Sequence, residues 1–576
     1  MTNAEIAHVF DEMADLLELR GENAFRVRAY RNAARAIAQL PEPVEEILRD
    51  GTRDLQAVAG IGQTIAEKTR TLVQTGSLPQ LEKLRAETPP VLLQMTRIPG
   101  VGPKKALVLH RELGIESLAD LRQACLDHRV QKLKGFGAKT EEAILAGLEI
   151  AEAASRRLRI DQAEELVERL QQHMHECPAV QRLEFAGSFR RGKETVGDID
   201  MLVTSEDPAS VMDRLGEFPA LSGVIARGET KMSIRVEDQF QVDLRVVAAE
   251  SFGAAWQYFT GSKEHNVQVR SRARRRGLTV NEYGVFRIDA PEDRVAGSTE
   301  EEVYQSLGLA WIPPELREGR QELQWYEDPA QMPRLVELKD IRGDLHMHST
   351  ATDGLHTVAQ MAQAAVERGL SYIAITDHSQ RVRMAGGLDE QRLLEHWEHI
   401  DRVAAQFQGR LAILKGIECD ILESGQLDLS DEVLAQADWV LASVHYGQRQ
   451  PGDQITRRIV GALQNPHVDA IAHPTGRLLG SRPPYDVDME TVLETAVECR
   501  KILELNANPK RLDLSEQHLL RAVALGIPIT INTDAHSTEG LQVMRYGVIQ
   551  ARRAGVPRDQ VVNTWSLDRL REWLQR

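Results

Sequence analysis

The feature that most restricts the fold is a rhythm after residue 340. Seven short apolar runs recur there, separated by helical patterns, and most end in side chains suited to metals: Asp344–His348, Ile373–His378, Ile413–Glu418, Val440–His445, Ala470–His473, Ile502–Asn506 and Ile529–His536. Strands alternating with helices in this way predict a parallel β/α domain. In a closed parallel barrel the C-terminal strand ends converge on one mouth, so side chains distant in sequence meet there. One histidine after a strand is more often a satisfied structural residue than a ligand. Six of them accompany Asp353, Glu418 and Asp534 here, and that company predicts a metal centre. His346 and His348, two apart, can share one ion, and Glu418 can bridge two. Mixed imidazole and carboxylate ligation suits Mn²⁺, Zn²⁺ or Fe²⁺ better than Mg²⁺. Bridged ions activate water and neutralise a phosphate oxygen, which is the chemistry of phosphoester hydrolysis.

The chain has 576 residues, enough for three or four folded units. Up to about residue 150 the pattern is helical and is interrupted three times by one device: Gly60-Ile61-Gly62, Gly100-Val101-Gly102 and Gly135-Phe136-Gly137, each followed at once by a helical pattern. Two glycines permit a tight turn and leave the next helix's first N–H groups free for a phosphate. Lys104, Lys105 and Lys139 follow two of these turns. Three such turns with like flanks predict helix-hairpin-helix modules that grip a DNA backbone without reading sequence. The formal charge of −16 does not exclude this, because binding depends on where cations cluster and metal-holding carboxylates inflate the negative count. Acidic residues dispersed through the first 23 positions do not fit a signal peptide, and no segment is apolar enough to span a bilayer. Cys125, Cys177, Cys419 and Cys499 form no CxxC pair. A cytoplasmic protein, associated with the nucleoid through DNA, is expected.

Between 155 and 250 the texture is strand-like. Asp198 and Asp200 flank Ile199, and a two-residue period puts both carboxylates on one face of a strand, with Ile199 and Met201 on the other. The run Phe240 to Arg245 presents Asp243 by the same alternation. Three carboxylates on adjoining strands can hold two Mg²⁺ ions, as phosphoryl transfer from a nucleotide requires. Just upstream, Gly187-Ser188-Phe189-Arg190-Arg191-Gly192 has the pattern of a turn opening a helix, with hydroxyl and guanidinium groups for phosphate oxygens.

The run GSFRRGKETVGDIDMLV closely resembles DNA polymerase family X, and the match continues through Tyr258-Phe259-Thr260-Gly261-Ser262, Asn266, Arg270 and Asn281-Glu282-Tyr283. The resemblance implies that Asp198, Asp200 and Asp243 are the catalytic, Mg²⁺-binding triad. It implies that Gly187, Ser188, Arg191, Gly197, Gly261, Asn266 and Arg270 surround the incoming dNTP, and that Tyr258 and Phe259 exclude a 2′-hydroxyl. Two departures stand out: Gln241 replaces an arginine that supports the primer end, and Lys263 replaces an aspartate facing the nucleotide. The first hairpin region also resembles that family's small lyase domain. Lys68 falls on its Schiff-base lysine and Tyr30 matches, but Thr64, Pro79 and Gln80 stand where the family has phosphate-binding cations. The C-terminal pattern is similar to the polymerase-and-histidinol-phosphatase (PHP) domain, and this implies nine ligands to three Mn²⁺ or Zn²⁺ ions: His346, His348, Asp353, His378, Glu418, His445, His473, Asp534 and His536.

The expected architecture is therefore multidomain. Two α-helical helix-hairpin-helix units (1–85, lyase-like, and 86–154) precede an α+β nucleotidyltransferase palm (155–250) and a nucleotide-selecting thumb (251–318). A linker (319–338) then leads to a distorted (β/α)7 barrel of PHP type (339–576). The expected function is gap-filling DNA synthesis in base excision repair by a monomer on gapped or recessed duplex DNA, with 3′–5′ exonuclease and 3′-phosphatase activity and incision at abasic sites from the PHP domain. Three alternatives stand beside it: a catalytically silent PHP domain, a DNA-end-binding scaffold, and a histidinol phosphatase. Intact carboxylates and ligands, and fusion to DNA-binding modules, weigh against them.

Overall fold

The computed structural model describes residues 3–574 except 21, 39–43, 50–54, 58–60, 76–77, 97, 99–100, 156, 238–239, 329 and 331. The first part of the chain is helical. Asn3–Leu19 and Ala24–Ala38 pack around Phe10, Met13, Tyr30 and Ile65, and a second cluster around Met95, Leu109, Leu121 and Phe136 gathers the helices Pro103–Leu113, Leu118–Leu126 and Ala138–Ser155.

The palm is a five-stranded sheet in the order Arg182–Phe185, Asp198–Thr204, Phe240–Val246, Lys231–Val236, Leu221–Arg227. The second and third of these run parallel, and their register sets Asp200 opposite Asp243. Ile199, Met201, Val242 and Leu244 face the core with the helix Ile160–His175 behind them, so the intervening carboxylates are turned to the other side. The expected alternation is observed.

The stretch 319–338, expected from its polar residues and prolines to be a linker, is instead a packed joint. It contains the short helix Glu322–Trp325; Leu323, Tyr326 and Leu335 complete the core of the thumb, and Val336 enters the core of the C-terminal domain. Apolar side chains spaced among the prolines decide this, because each finds a neighbouring core to bury against.

Seven parallel strands, Gly343–Asp344, Tyr372–Ile375, Ala412–Asp420, Trp439–Ser443, Ala470–Ile471, Ile502–Asn506 and Ile529–Asn532, follow one another in chain order. Beyond the first and last strands the backbone closes the ring: Asp534 N–H donates to His346 O at 3.0 Å and His348 N–H to Ala535 O at 2.9 Å. Alternation divides the strands as a barrel requires. Ile373 and Ile375 pack outward against helices, while Tyr372, Ala374, Leu414 and Trp439 fill the lower interior, joined by Val562, Trp565 and Leu570. With its lower end filled by hydrophobic side chains, the barrel has its polar groups at the opposite mouth.

Candidate active sites

The cleft above the palm sheet has a volume of about 680 Å³. It gathers Gly187, Ser188, Arg191, Gly197, Asp198, Asp200, Tyr258, Phe259, Gly261, Lys263, Asn266 and Arg270, all expected around a nucleotide, and adds Arg157, Lys193 and Glu318, which were not. Gly187 adopts φ +63°, and a Cβ there would lie 2.4 Å from Asp200 Oδ2. Only glycine lets the turn close onto the carboxylate. Burial pushes the Asp200 carboxyl up to about 7, with Asp198 and Asp243 adding to it; burial and then Asp243 raise Asp198 as well. Carboxylates crowded in this way fit divalent cations, which would relieve their repulsion.

The two departures from the family pattern acquire positions. Gln241 Nε2 donates to Asp243 Oδ2 at 2.9 Å, and Ser233 Oγ donates to the other oxygen, so the third carboxylate is held from both sides. Lys263 is exposed at the start of the helix Lys263–Arg275, on the cleft wall. The aromatic pair is also fixed. Asn266 Nδ2 donates to Tyr258 O at 2.7 Å and Asn266 Oδ1 accepts from Gln257 Nε2 at 2.9 Å, while the Arg245 guanidinium lies 4.3 Å from the Phe259 ring centre.

At the barrel mouth Glu418 is the hub. Its Oε2 faces His378 Nδ1 at 2.9 Å, His346 Nε2 at 3.4 Å and His348 Nε2 at 3.6 Å; its Oε1 faces His473 Nε2 at 3.0 Å and His445 Nε2 at 3.4 Å. Asp534 Oδ1 lies 3.2 Å from His348 and 3.5 Å from His346. Asp353 Oδ2 lies 3.4 Å from His536 and 3.5 Å from His378. All nine expected residues therefore converge. Their ligand atoms fall into three overlapping groups: His348, Asp353, His378 and His536; His346, His348 and Asp534; His378, Glu418 and His445. His473 joins through Glu418.

The metal reading fits the chemistry of these donors. His346 Nε2, both ring nitrogens of His348, His378 Nδ1 and Glu418 Oε2 are buried and, although carboxylate and imidazole atoms face each other closely, none makes a well-aligned hydrogen bond, a costly state for polar atoms unless a cation takes their lone pairs. Charge is polarised within the cluster. Burial pulls His348 down to about 4, with His378 adding to it, whereas the carboxylates Glu418 and Asp353 outweigh burial at His378 and raise it to about 10. Burial opposes ionisation of Glu418, but His445, His346 and His378 hold its carboxyl well below the usual range.

A surrounding layer, not identified from the sequence, orients these ligands. Glu504 accepts from His346 Nδ1 at 2.7 Å and from the His473 N–H at 2.7 Å. Asp420 accepts the His445 N–H at 2.9 Å, and Asp377 is held by Ser349, Thr352 and His396. Glu504 and Asp420, which touch the ligands themselves, fix their orientation and raise ligand basicity, whereas Asp377 ties together the neighbouring loop. Glu504 and Asp420 lie on strands that end at the mouth, so the strand pattern did carry a signal for them. Arg511, whose Nε is 3.5 Å from Asp534 Oδ2, lies in an irregular loop and carried none.

In the helical region Gly102 caps Pro103–Leu113, Gly62 and Gly137 immediately precede Gln63–Thr75 and Ala138–Ser155, and Gly135 adopts φ +88°. Gly60 and Gly100 lie outside the described residues. A Cβ at 62, 102 or 137 would meet open space, so these turns present bare backbone to the outside. Lys104 and Lys139 are exposed beside them and Lys105 is half-buried. Lys68 donates to Tyr30 Oη at 2.6 Å and to Gln80.

Family models match along the chain in the same order: helix-hairpin-helix domain at 1–78, SAM-like helix-hairpin-helix tandem at 92–149, DNA polymerase beta palm at 157–260, DNA polymerase beta thumb at 255–318 and PHP domain at 344–506. A DNA polymerase/3′-5′ exonuclease PolX from Bacillus subtilis (strain 168) is 40% identical over 578 residues, covering 100% of both chains. The chain belongs to the bacterial family X DNA polymerases that carry a PHP domain. A probable phosphatase from Thermoanaerobacter sp. (strain X514) is 30% identical over 243 residues, 40% of this chain and 94% of its own length; one from Syntrophotalea carbinolica is 29% identical over 231 residues, 38% and 90%. In this family X chain the PHP match stops at residue 506, so Asp534 and His536 are joined to the centre by the closure of the barrel. Both halves are metal-dependent in kind and DNA is the substrate class. No helix among the described residues is long and apolar enough to cross a membrane.

Proposed function

We propose that this chain fills short gaps in duplex DNA during base excision repair and trims 3′ ends by a separate hydrolysis in the barrel. The observation that carries the reading is the coexistence of two constellations: Asp198 and Asp200 in a cleft that Arg191 and Lys193 also line, with Asp243 opposite Asp200 on the adjoining strand, and eight further metal-type ligands gathered around Glu418. When bound, Mg²⁺ at the three aspartates and three Mn²⁺ or Zn²⁺ ions at the barrel mouth supply charge neutralisation and activation of the attacking oxygen.

The chain's own groups do the rest. Ser188 and Arg191 take the triphosphate oxygens of a dNTP, with Lys193 adding charge on the same wall. Gln241 and Ser233 keep Asp243 in the orientation that faces Asp200. Asn266 pins the Tyr258 carbonyl, so the aromatic pair forms a fixed wall against a 2′-hydroxyl. At the barrel Glu504 and Asp420 hold the ligands His346, His473 and His445, and Arg511 brings a guanidinium to the same mouth for a phosphate oxygen. The hairpin turns carry the monomer on gapped or recessed DNA by its backbone.

The two chemistries should separate by mutation. On one-nucleotide-gapped and recessed DNA, assayed with Mg²⁺ or Mn²⁺ and with or without dNTPs, Asp200→Ala is expected to abolish nucleotide addition and spare Mn²⁺-dependent 3′ degradation, and His346→Ala to do the reverse. Loss of both activities in either variant would contradict two independent sites.

A further inference from the structure

The turn Gly187–Gly192 ends a short helix, so its last carbonyls need donors from outside. The helix Met544–Arg553 of the PHP domain supplies them. Arg553 Nη1 donates to Arg191 O at 2.5 Å, and Gln550 Nε2 donates to Gly192 O at 2.7 Å. Gly192 has φ +66° and touches the same helix: a Cβ there would lie 2.2 Å from Ile549 Cγ2. The contact is close at the end of the turn, at Arg191 and Gly192.

The charges at this contact are unevenly shared. Arg553 has a side chain 0% exposed, and its Nη2 reaches both Glu318 Oε1 at 2.9 Å and Glu516 Oε2 at 2.8 Å. The same Glu318 accepts from Arg191 Nε at 3.1 Å and faces Lys193 Nζ at 3.1 Å, while Arg320 pairs with Glu516. Two carboxylates thus serve four cations, and Arg191, Lys193 and Glu318 line the nucleotide cleft. A carboxylate within the cleft competes with a triphosphate for the same two cations unless another cation offsets it. Arg553 is the cation placed to do so.

We propose that Arg553, contributed by the PHP domain, is a positioning residue of the polymerase site. It holds the Arg191–Gly192 backbone and engages Glu318 from behind, which leaves Arg191 and Lys193 available to the incoming triphosphate. The nucleotide site is therefore incomplete without the barrel, although the two reactions remain chemically separate. This inference rests on the reading of Arg191 as a triphosphate contact.

The test uses the full chain and steady-state gap filling. Arg553→Met is expected to raise KM for dNTP about tenfold or more with a smaller change in kcat, and to leave Mn²⁺-dependent 3′ degradation unchanged. Arg553→Lys, which keeps the charge, is expected to fall between it and the parent. Adding Glu318→Gln to Arg553→Met removes the competing carboxylate and is expected to recover most of the lost dNTP affinity. Unchanged kinetics in Arg553→Met overturn the proposal. If Arg553→Met depresses both activities together, the double variant decides: recovered KM upholds the proposal, and no recovery overturns it in favour of a purely structural contact. Arg191→Met, measured in parallel, isolates the underlying reading, because an unchanged KM there refutes Arg191 as a triphosphate contact whatever Arg553 does.

Discussion

Glu300→Ala should destabilise the palm–thumb unit more than any cleft substitution. The Glu300 side chain is 2% exposed and accepts five charged or polar N–H groups: Arg190 at 2.6 and 2.8 Å, Arg317 at 2.6 and 2.9 Å, and Trp311 Nε1 at 2.8 Å. Its removal strands Arg317, 0% exposed, and Arg190, 11% exposed, without a counter-charge. Breaking a buried pair in this way costs about 3–5 kcal/mol. For a unit of this size each kcal/mol moves the midpoint by roughly 2–4 °C, so a fall on the order of 6–20 °C is expected. Scanning calorimetry of the full chain at one scan rate reads it as a shift in one transition, with barrel hydrolysis retained. Acid supplies a second check. Burial raises the Glu300 carboxyl, but Arg317 and Arg190 outweigh burial and hold it far below the usual range. A carboxyl depressed on folding stabilises fully above its unfolded value, about 4.3, and loses that contribution only as pH falls through the folded one. The gap between parent and variant should therefore persist at pH 5 and close only in strong acid. A shift of less than about 2 °C at pH 7, or a gap already closed by pH 5, refutes the reasoning.

Gln241→Ala frees one side of Asp243; roughly tenfold slower gap filling with a higher Mg²⁺ requirement is expected, as for other residues that orient metal ligands, and an unaltered Mg²⁺ titration would count against it. Lys263→Ala should weaken dNTP binding measured without DNA, since the lysine stands on the cleft wall in place of an anion; equal affinity would reduce it to a surface residue. Borohydride on an abasic substrate should trap an adduct through Lys68 that is absent in Lys68→Ala, and equal trapping would place any lyase chemistry elsewhere.

The parts of the molecule legible in the sequence are those governed by a short repeat. A two-residue period was enough to place Asp198, Asp200 and Asp243 on one face, because a strand leaves no other choice once Ile199 and Met201 are buried. A barrel extends that logic over nearly two hundred residues, from His346 to His536, because its strand ends must meet. The joint at 319–338 escaped because periodicity says nothing about which core a Leu323 or Tyr326 will find. Glu504 and Asp420 escaped for a different reason: a carboxylate that orients a ligand has the same spacing as one that binds metal, and only distance separates them.

The contact between barrel and palm was the least legible, and the reason lies in its chemistry. Arg553, Gln550 and Glu516 are ordinary residues for solvent-facing helix surfaces and Glu318 for a surface loop, and such charged and polar side chains predict exposure. Arg553 and Gln550 are buried and Glu318 and Glu516 half-buried because the Arg191–Gly192 turn leaves carbonyls without partners and its neighbours carry unbalanced charge, needs that arise only when two distant segments are set side by side. A functional contact built from such residues has no motif. It follows that substitutions at this junction, though far in sequence from either catalytic set, should act on dNTP binding before they act on 3′ hydrolysis, since the groups they support face the palm cleft and not the barrel mouth.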